Sequence, residues 1–546
     1  MKKVLLGLAA SLLLTVASQA QGLDAAAKAA LPTVQPAALE AHVRYLADDR
    51  LRGRLPGTPG YQLAVDYVAS QLKQNGVAPA GDKGGYTQLV RLRRAFVEPG
   101  AALSYQPASG AAQPLAYGPA ATLYPNPARP EVSVAAAGLV FAGYGISAPE
   151  KGYDDYAGLD AQGKIVVVTR QPARQFASNE RLYFADVRTV LEAAARHGAV
   201  GVLLAAAHAE AKLPDFPKGV VSALSPDGQV AVSRSYAPGS VQLVGSISPA
   251  TLQQFFAGAS RDTTQAMSYL RAGRPAPLAL PGRLGVRFRS RYQDVNSYNV
   301  VGKLTGSDPR LRLEYVVHSA HLDHLGVGPA INGDSIYNGA HDNATGVASV
   351  LEISKLYAGL KTKPKRSVLF VLVTGEEMGL LGSGYFAKFP TVPKAALVAD
   401  INTDMPTLIA PLLSVVPLGA DHSSLLGDVQ RATAYLGLAV EADPEPAENR
   451  FIRSDQYSFV VQGIPALHIK YGNKTADGQN NLSTTVQQWR ALTYHKPQDN
   501  FVGGTFDWAA GAQYARLNFL IGYQVAQASQ RPTWNRGDFF GARFGK

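Results

Sequence analysis

Four of the ten histidines fall between positions 318 and 341. Three of them sit in Val316-Val-His-Ser-Ala-His-Leu-Asp-His-Leu-Gly326. A strand ending in His-x-Asp presents a ring nitrogen at a sheet edge, and the nearby carboxylate can fix the imidazole tautomer. The competing reading of this run alone is a set of surface loop histidines. A second run, Gly339-Ala-His-Asp-Asn-Ala-Thr-Gly346, surrounds Asp342 with small residues. Its carboxylate could offer one oxygen to each of two cations, or it or Asn343 could cap the following helix. In a third run, the apolar Ser367-Val-Leu-Phe-Val-Leu-Val373 leads into Thr374-Gly-Glu-Glu-Met-Gly. Functional groups gather at the carboxyl ends of strands in open α/β sheets. Of two adjacent glutamates there, one can ligate a metal while the other faces a bound water as general base. The alternative is a helix start with acids at the positive end of its dipole. Two acids so close to a buried strand end repel each other unless a cation lies between them.

Ala399-Asp-Ile-Asn-Thr-Asp-Met405 and Tyr494-His-Lys-Pro-Gln-Asp499 add further carboxylates and a histidine. His, Asp, Glu, Asp and His in that order, at successive sheet edges, form the joint signal. Five nitrogen and oxygen ligands without sulfur suit a pair of divalent ions, and Zn2+ is the expected one. Two such ions about 3.5–4 Å apart can share a water and lower its pKa.

The elements that must hold these residues are legible in outline. Leu39, Val43 and Leu46, then Ala64, Val65, Val68 and Leu72, recur at helical spacing. The Gly- and Pro-rich stretch from Leu51 to Gly60 separates them as a loop. From 297 onward strands and helices alternate: 314–317 as strand, 346–360 as helix, 367–373 as a fully apolar central strand, then another cycle to Asp404. The expected fold class is therefore α/β, a mixed, mainly parallel sheet sandwiched by helices. Between these parts, 138–145 and 163–169 read as buried strands, 187–197 as a helix ending at Gly198, and 199–204 as a strand. This block reads as a smaller, separate α+β unit. The Pro/Gly-rich stretch 272–285 is expected to return the chain to the first unit.

The 546 residues allow two or three domains, and 46% hydrophobic against 17% charged residues describes a globular chain. There is no cysteine, so catalytic thiols and disulfides are excluded. Lys2 and Lys3, the apolar run 4–16 and Ser18-Gln19-Ala20 read as a signal peptide over residues 1–20, which implies export to a periplasm or medium. The formal charge of +11 is scattered, which reads as a solvated basic surface rather than a nucleic-acid footprint. No membrane anchor is expected in the mature chain, and the sequence leaves the oligomeric state open.

Together the motifs His-x-Asp, Gly-Ala-x-Asp-Asn-x-x-Gly, Glu-Glu-x-Gly-Leu-x-Gly-Ser, Asn-x-Asp-Met and Tyr-His-x-x-x-Asp resemble the M28 family of zinc aminopeptidases. Gly53-Arg54 with Gly57-Thr58-x-Gly60 is similar to the family's N-terminal signature, and 138–169 looks like a protease-associated (PA) domain. The resemblance implies His321 and Asp404 on one zinc, Glu377 and His495 on the other, and Asp342 bridging them. It also implies Glu376 as general base, Asp323 supporting His321, Tyr494 polarising the substrate carbonyl, and Arg453 near the substrate, with Asp499 in a supporting place. Gln456, Thr403 and Pro406 depart from the family pattern, none at a ligand position. His318, His324 and His341 match no ligand position and are expected as loop or supporting residues. The implied domains are a peptidase part over 21–127, an inserted PA-like part over 128–275, and the metal-binding part over 276–546. The implied reaction is hydrolysis of the N-terminal peptide bond. The alternatives are a carboxypeptidase or dipeptidase of the same fold, or a non-catalytic binding protein.

Overall fold

A computed structural model describes residues 24–169, 173–206, 212–448 and 450–545. The expected signal segment 1–20 lies outside the described residues. Four parallel strands form the centre of the first sheet, in the order Ser367–Val373, Tyr315–His321, Leu397–Asn402, Ala466–Tyr471. Both flanks are antiparallel. Ser414–Leu418 closes one side, and Leu278–Leu304 followed by Thr87–Val97 closes the other. The mixed, parallel-centred α/β sheet expected from the sequence is present.

The pleat sorts the core. Val368, Phe370 and Leu372 enter one apolar cluster, with Leu39, Val65, Val350 and Phe519 from four flanking helices. Leu369, Val371 and Val373 enter another on the opposite face, with Phe386, Phe459 and Phe540. Alternate side chains of a strand point to opposite faces, so a strand covered on both sides must be apolar throughout. The helices on the first face are Pro36–Leu46, Pro59–Gln74, Thr345–Gly359 and Trp508–Gln527. Proline at the first helical position starts two of them, and Thr58 caps the second by accepting from the Tyr61 N–H.

A second sheet uses Glu131–Phe141, Ile165–Thr169, Gly201–Ala205 and Leu243–Ile247 in parallel succession. Its helices include Val187–Arg196, which ends where Gly198 takes φ +73°. The expected boundaries at 127/128 and 275/276 fall inside this sheet, which also takes in 102–106, 113–115 and 121–123. The 272–285 stretch is no return linker. From Leu278 it is already strand, the first part of the 27-residue Leu278–Leu304. Residues 278–289 pair with 131–141, 290–300 with 87–97, and 300–304 with 368–372, so one strand belongs to both sheets. Pro281, Gly282 and Gly285 hide the alternation of buried Leu278, Leu280, Leu284, Val286 and Phe288. A register shift between Leu280 and Arg283 absorbs the proline. The chain also crosses back earlier, because Val220–Leu224 pairs with Thr87–Val97 of the first sheet.

Candidate metal centre

Because 315–321 and 367–373 run parallel with His321 opposite Val373, the ends of the central strands lie side by side. His321 closes one strand, Glu376 and Glu377 follow the next, and Asp404 follows the third. Asp342 and His495 come from connecting loops to the same place. The Asp342 carboxylate faces two ways. Its Oδ1 lies 3.2 Å from His321 Nε2, and its Oδ2 lies 3.3 Å from His495 Nε2. His321 Nε2 is also 3.5 Å from Asp404 Oδ1, and His495 Nε2 is 3.1 Å from Glu377 Oε2. The five expected ligands thus form two adjoining groups that share Asp342.

Donors about 2.0–2.2 Å from a tetrahedral ion stand roughly 3.3–3.5 Å from one another, so these spacings fit the edges of two coordination shells. Glu377 Oε1 is buried without a hydrogen-bond partner, another mark of an oxygen built for a cation. The residues fit divalent metal, with hard and borderline donors and no sulfur.

The electrostatics agree with a site built for positive charge. Burial would raise Asp342, yet the His321 and His495 contacts hold it well below the usual carboxylate range. Asp404 is lowered in the same way by His321, with Lys470 assisting. Burial opposes protonation of His495, but Asp342 and Glu377 lift it to about 10. Burial pushes Glu376 well above its ordinary value, and the Glu377, Asp404 and Asp455 carboxylates add to this against His321. Glu376 lines the cleft together with Asp342, Asp404 and Tyr494. The Tyr494 ring stacks on His495 at 3.8 Å.

Supporting residues fix the loops. Asp499 accepts from the main-chain N–H of His341 at 2.9 Å and of Asp342 at 3.0 Å. Asn343 ties the same loop to the Asp404 loop, donating to Thr403 O at 2.9 Å and accepting from Met405 N at 3.0 Å. Asp323 differs from expectation in how it acts. Its main-chain oxygen meets His321 Nδ1 at 3.2 Å, while its carboxylate accepts from the N–H groups of Glu376 at 3.1 Å and Glu377 at 3.4 Å. The strand end turns, so the main-chain oxygen reaches the ring and frees the carboxylate to hold the adjacent strand's loop. Arg453 lines the cleft and donates to Glu448 O at 3.1 Å.

The three other histidines separate. His318 is buried in the core against the Tyr357 hydroxyl, 3.2 Å away. His341 lies behind the loop, its ring stacked on Phe506 at 4.3 Å and near Asp499. His324 is different. Fully buried, it brings Nδ1 to 2.7 Å from Glu377 Oε1, and with Asp342 and Glu377 it makes a second group able to hold a metal. That contact lacks hydrogen-bond alignment, as both His324 nitrogens are also unpartnered. Gly339, at φ +60°, makes room for it; a Cβ there would stand 2.5 Å from the ring. The spacing His321-x-Asp-His324 was the available signal. Sequence reasoning also missed His468 and Lys470, which donate to Asp404 O at 2.8 Å each. They occupy alternate positions on one face of the 466–471 strand, a signal too short to stand out.

Fold and donor set together define an α/β protein with a two-lobed candidate metal centre at the carboxyl end of its sheet. Residues 299–518 match the model of peptidase family M28. "Probable leucine aminopeptidase 2" of Aspergillus fumigatus is 27% identical over 184 residues, covering 32% of this chain and 34% of its own length. "Probable zinc metalloprotease" of Pyrenophora tritici-repentis is 39% identical over 264 residues, covering 43% of this chain and 52% of its own. The chain thus spans between a third and about half of the length of these relatives. Among solved structures, the aminopeptidase from Aneurinibacillus sp. strain AM-1 aligns over 91% of this chain and 95% of its own at 17% identity, with a TM-score of 0.48.

Proposed function

We propose that the protein is an exported, dinuclear zinc exopeptidase that hydrolyses the N-terminal peptide bond of peptides. The observation that carries the reading is Asp342, with one oxygen turned to His321 and the other to His495. His321, Asp342 and Asp404 would hold one ion, and Asp342, Glu377 and His495 the other. Bound zinc would lower the pKa of a water and polarise the scissile carbonyl. The chain's own residues carry the rest. Glu376, with its proton affinity raised by burial, accepts the water's proton at its carboxylate and returns it to the leaving nitrogen. The Tyr494 hydroxyl, in the same cleft, donates to the carbonyl oxygen as it gains charge. The carboxylates Asp342, Glu376 and Asp404 at the cleft's centre suit a nearby free α-amine. The names of the two relatives, an aminopeptidase and a zinc metalloprotease, support this choice of chemistry and metal. The second sheet would be the PA-like part, and residues 1–20 the signal for export. Among the described residues no helix is long and apolar enough to cross a membrane.

Metal analysis of the purified mature protein tests the centre, with two divalent ions per chain expected. None, or a single tightly bound ion, would reject the dinuclear reading.

A further inference from the structure

The cleft that holds the candidate metal ligands has a cationic wall. Arg453 and Arg490 line it together with Asp342, Glu376, Asp404 and Tyr494. Arg490 lies in the last turn of Leu482–Thr493, and its guanidinium sits over the Tyr494 ring, 4.4 Å from the centroid. That ring in turn stacks on His495. One aromatic ring therefore separates the cation from a candidate metal ligand.

The nearby Arg450 is balanced in charge by two carboxylates, Asp443 and Glu445, although its Nε and Nη1 lack hydrogen-bond partners. Arg453 and Arg490 are not matched in this way. Among the described residues Glu448 is the one carboxylate within ion-pair reach of either, at 3.7 Å and 3.9 Å from their Nη1 atoms. Two guanidinium groups thus share one carboxylate at the long edge of pairing distance. Their side chains keep 48% and 23% of their surface exposed toward solvent and cleft. Guanidinium groups present several donors in a planar fork that matches a carboxylate. A fork held by stacking and left with open donors is a receptor for an anion.

We infer that Arg453 and Arg490 read a carboxylate on the substrate close to the scissile bond, so that the preferred substrates are acidic or very short peptides. The inference rests on the peptidase reading above and narrows its substrate class. Two sources supply the same chemistry: an Asp or Glu side chain, or the C-terminal carboxylate of a dipeptide. Glu448 acts as the internal competitor that the substrate carboxylate displaces.

The test compares four peptides on the metal-loaded protein: Leu-Glu-amide against Leu-Gln-amide, and Leu-Ala against Leu-Ala-amide. The first pair isolates the side-chain source and the second the C-terminal one. About a tenfold advantage in kcat/KM is expected for the carboxylate form in at least one pair, shrinking at high salt. Arg490→Gln should erase the advantage while the uncharged amides are still cleaved, and Glu448→Gln should enlarge it. Equal kcat/KM in both pairs, or an advantage untouched by Arg490→Gln, overturns the inference while leaving a peptidase. If none of the four is cleaved, the peptidase reading fails on these peptides. Calorimetric binding of the same peptides then decides the receptor: tighter binding of the carboxylate forms supports it, and equal binding overturns it.

Discussion

Arg54 offers the sharpest test of how the centre is held. Its side chain is buried, with 1% of the residue exposed, and among the described residues no carboxylate forms an ion pair with it. It donates instead to four main-chain carbonyls: Leu322 at 2.9 Å, Leu46 at 2.5 Å, Asn338 at 2.6 Å and Gly339 at 2.9 Å. Leu322 follows His321, and Gly339 opens the Asp342 loop, so one guanidinium ties both ligand loops to the helix ending at Leu46. Burial lowers its pKa to about 10, opposed by the charges of Asp323, Asp499, Asp342 and Glu377. Arg54→Met keeps much of the volume but removes all four donors. Each orphaned buried acceptor costs about 1–3 kcal/mol, and water entering the space recovers part of that. A net loss of ~4 kcal/mol is expected, or roughly a 3–4 °C fall in Tm for a chain of 546 residues. The loops should also hold metal more weakly. Calorimetric unfolding and metal titration on wild type, Arg54→Met and Arg54→Lys would measure both, with Lys intermediate because an ammonium cannot reach all four oxygens. A Tm within about 1 °C of wild type, with unchanged metal affinity, would refute the account of Arg54 as the tie between loops.

Glu376→Gln should keep its metal yet lose ~100- to 10,000-fold in kcat, and near-normal turnover would reject the base assignment. Asp499→Ala releases the N–H groups of His341 and Asp342 and should weaken metal binding about 10- to 100-fold in a competitive chelator titration. Just after the short two-stranded pairing of 147–148 with 153–154, burial raises Asp155 to about 7, against bonds from Ile146 N, the Tyr153 hydroxyl and Tyr144 N. The folded form then binds a proton that the unfolded form, near the ordinary value, does not. Its contribution is fully present below about pH 4 and fades as pH rises through about 7, by ~4 kcal/mol at most. Hydrogen exchange of Ile165–Thr169 should accelerate over that range in wild type and less in Asp155→Asn; equal slopes would count against it.

The strand Ser367–Val373 was readable because burial on both faces leaves an unbroken apolar run, and it has the bounds its residues suggest. The candidate ligands were legible unevenly: Glu377 follows that run and Asp342 sits among small residues, whereas His321, Asp404 and His495 stood out only as members of the joint set. Leu278–Leu304 was hidden, since Pro281, Gly282 and Gly285 look like loop residues until a bulge accommodates them. Asp323 could be placed at the centre but not given its partners, because which atom turns toward His321 depends on the strand's last dihedral angles. Arg54 and the pairing of Arg490 with Tyr494 depend on contacts across hundreds of residues or on side-chain stacking, which spacing does not encode.

Leu278–Leu304 also bears on how the molecule comes together during synthesis. Every strand of the second sheet precedes or lies within it, and its 290–300 part can pair with the earlier Thr87–Val97. Residues 300–304 meet Ala78–Pro79 on one edge, but their other edge must wait for Ser367–Val373, made more than sixty residues later. Until then the nascent chain presents one unpaired β edge over residues 300–304, a template for any other extended chain. A largely finished second sheet would hold that edge in place, so the growing protein spends part of its life as a half-built sheet with a fixed seam awaiting its partner.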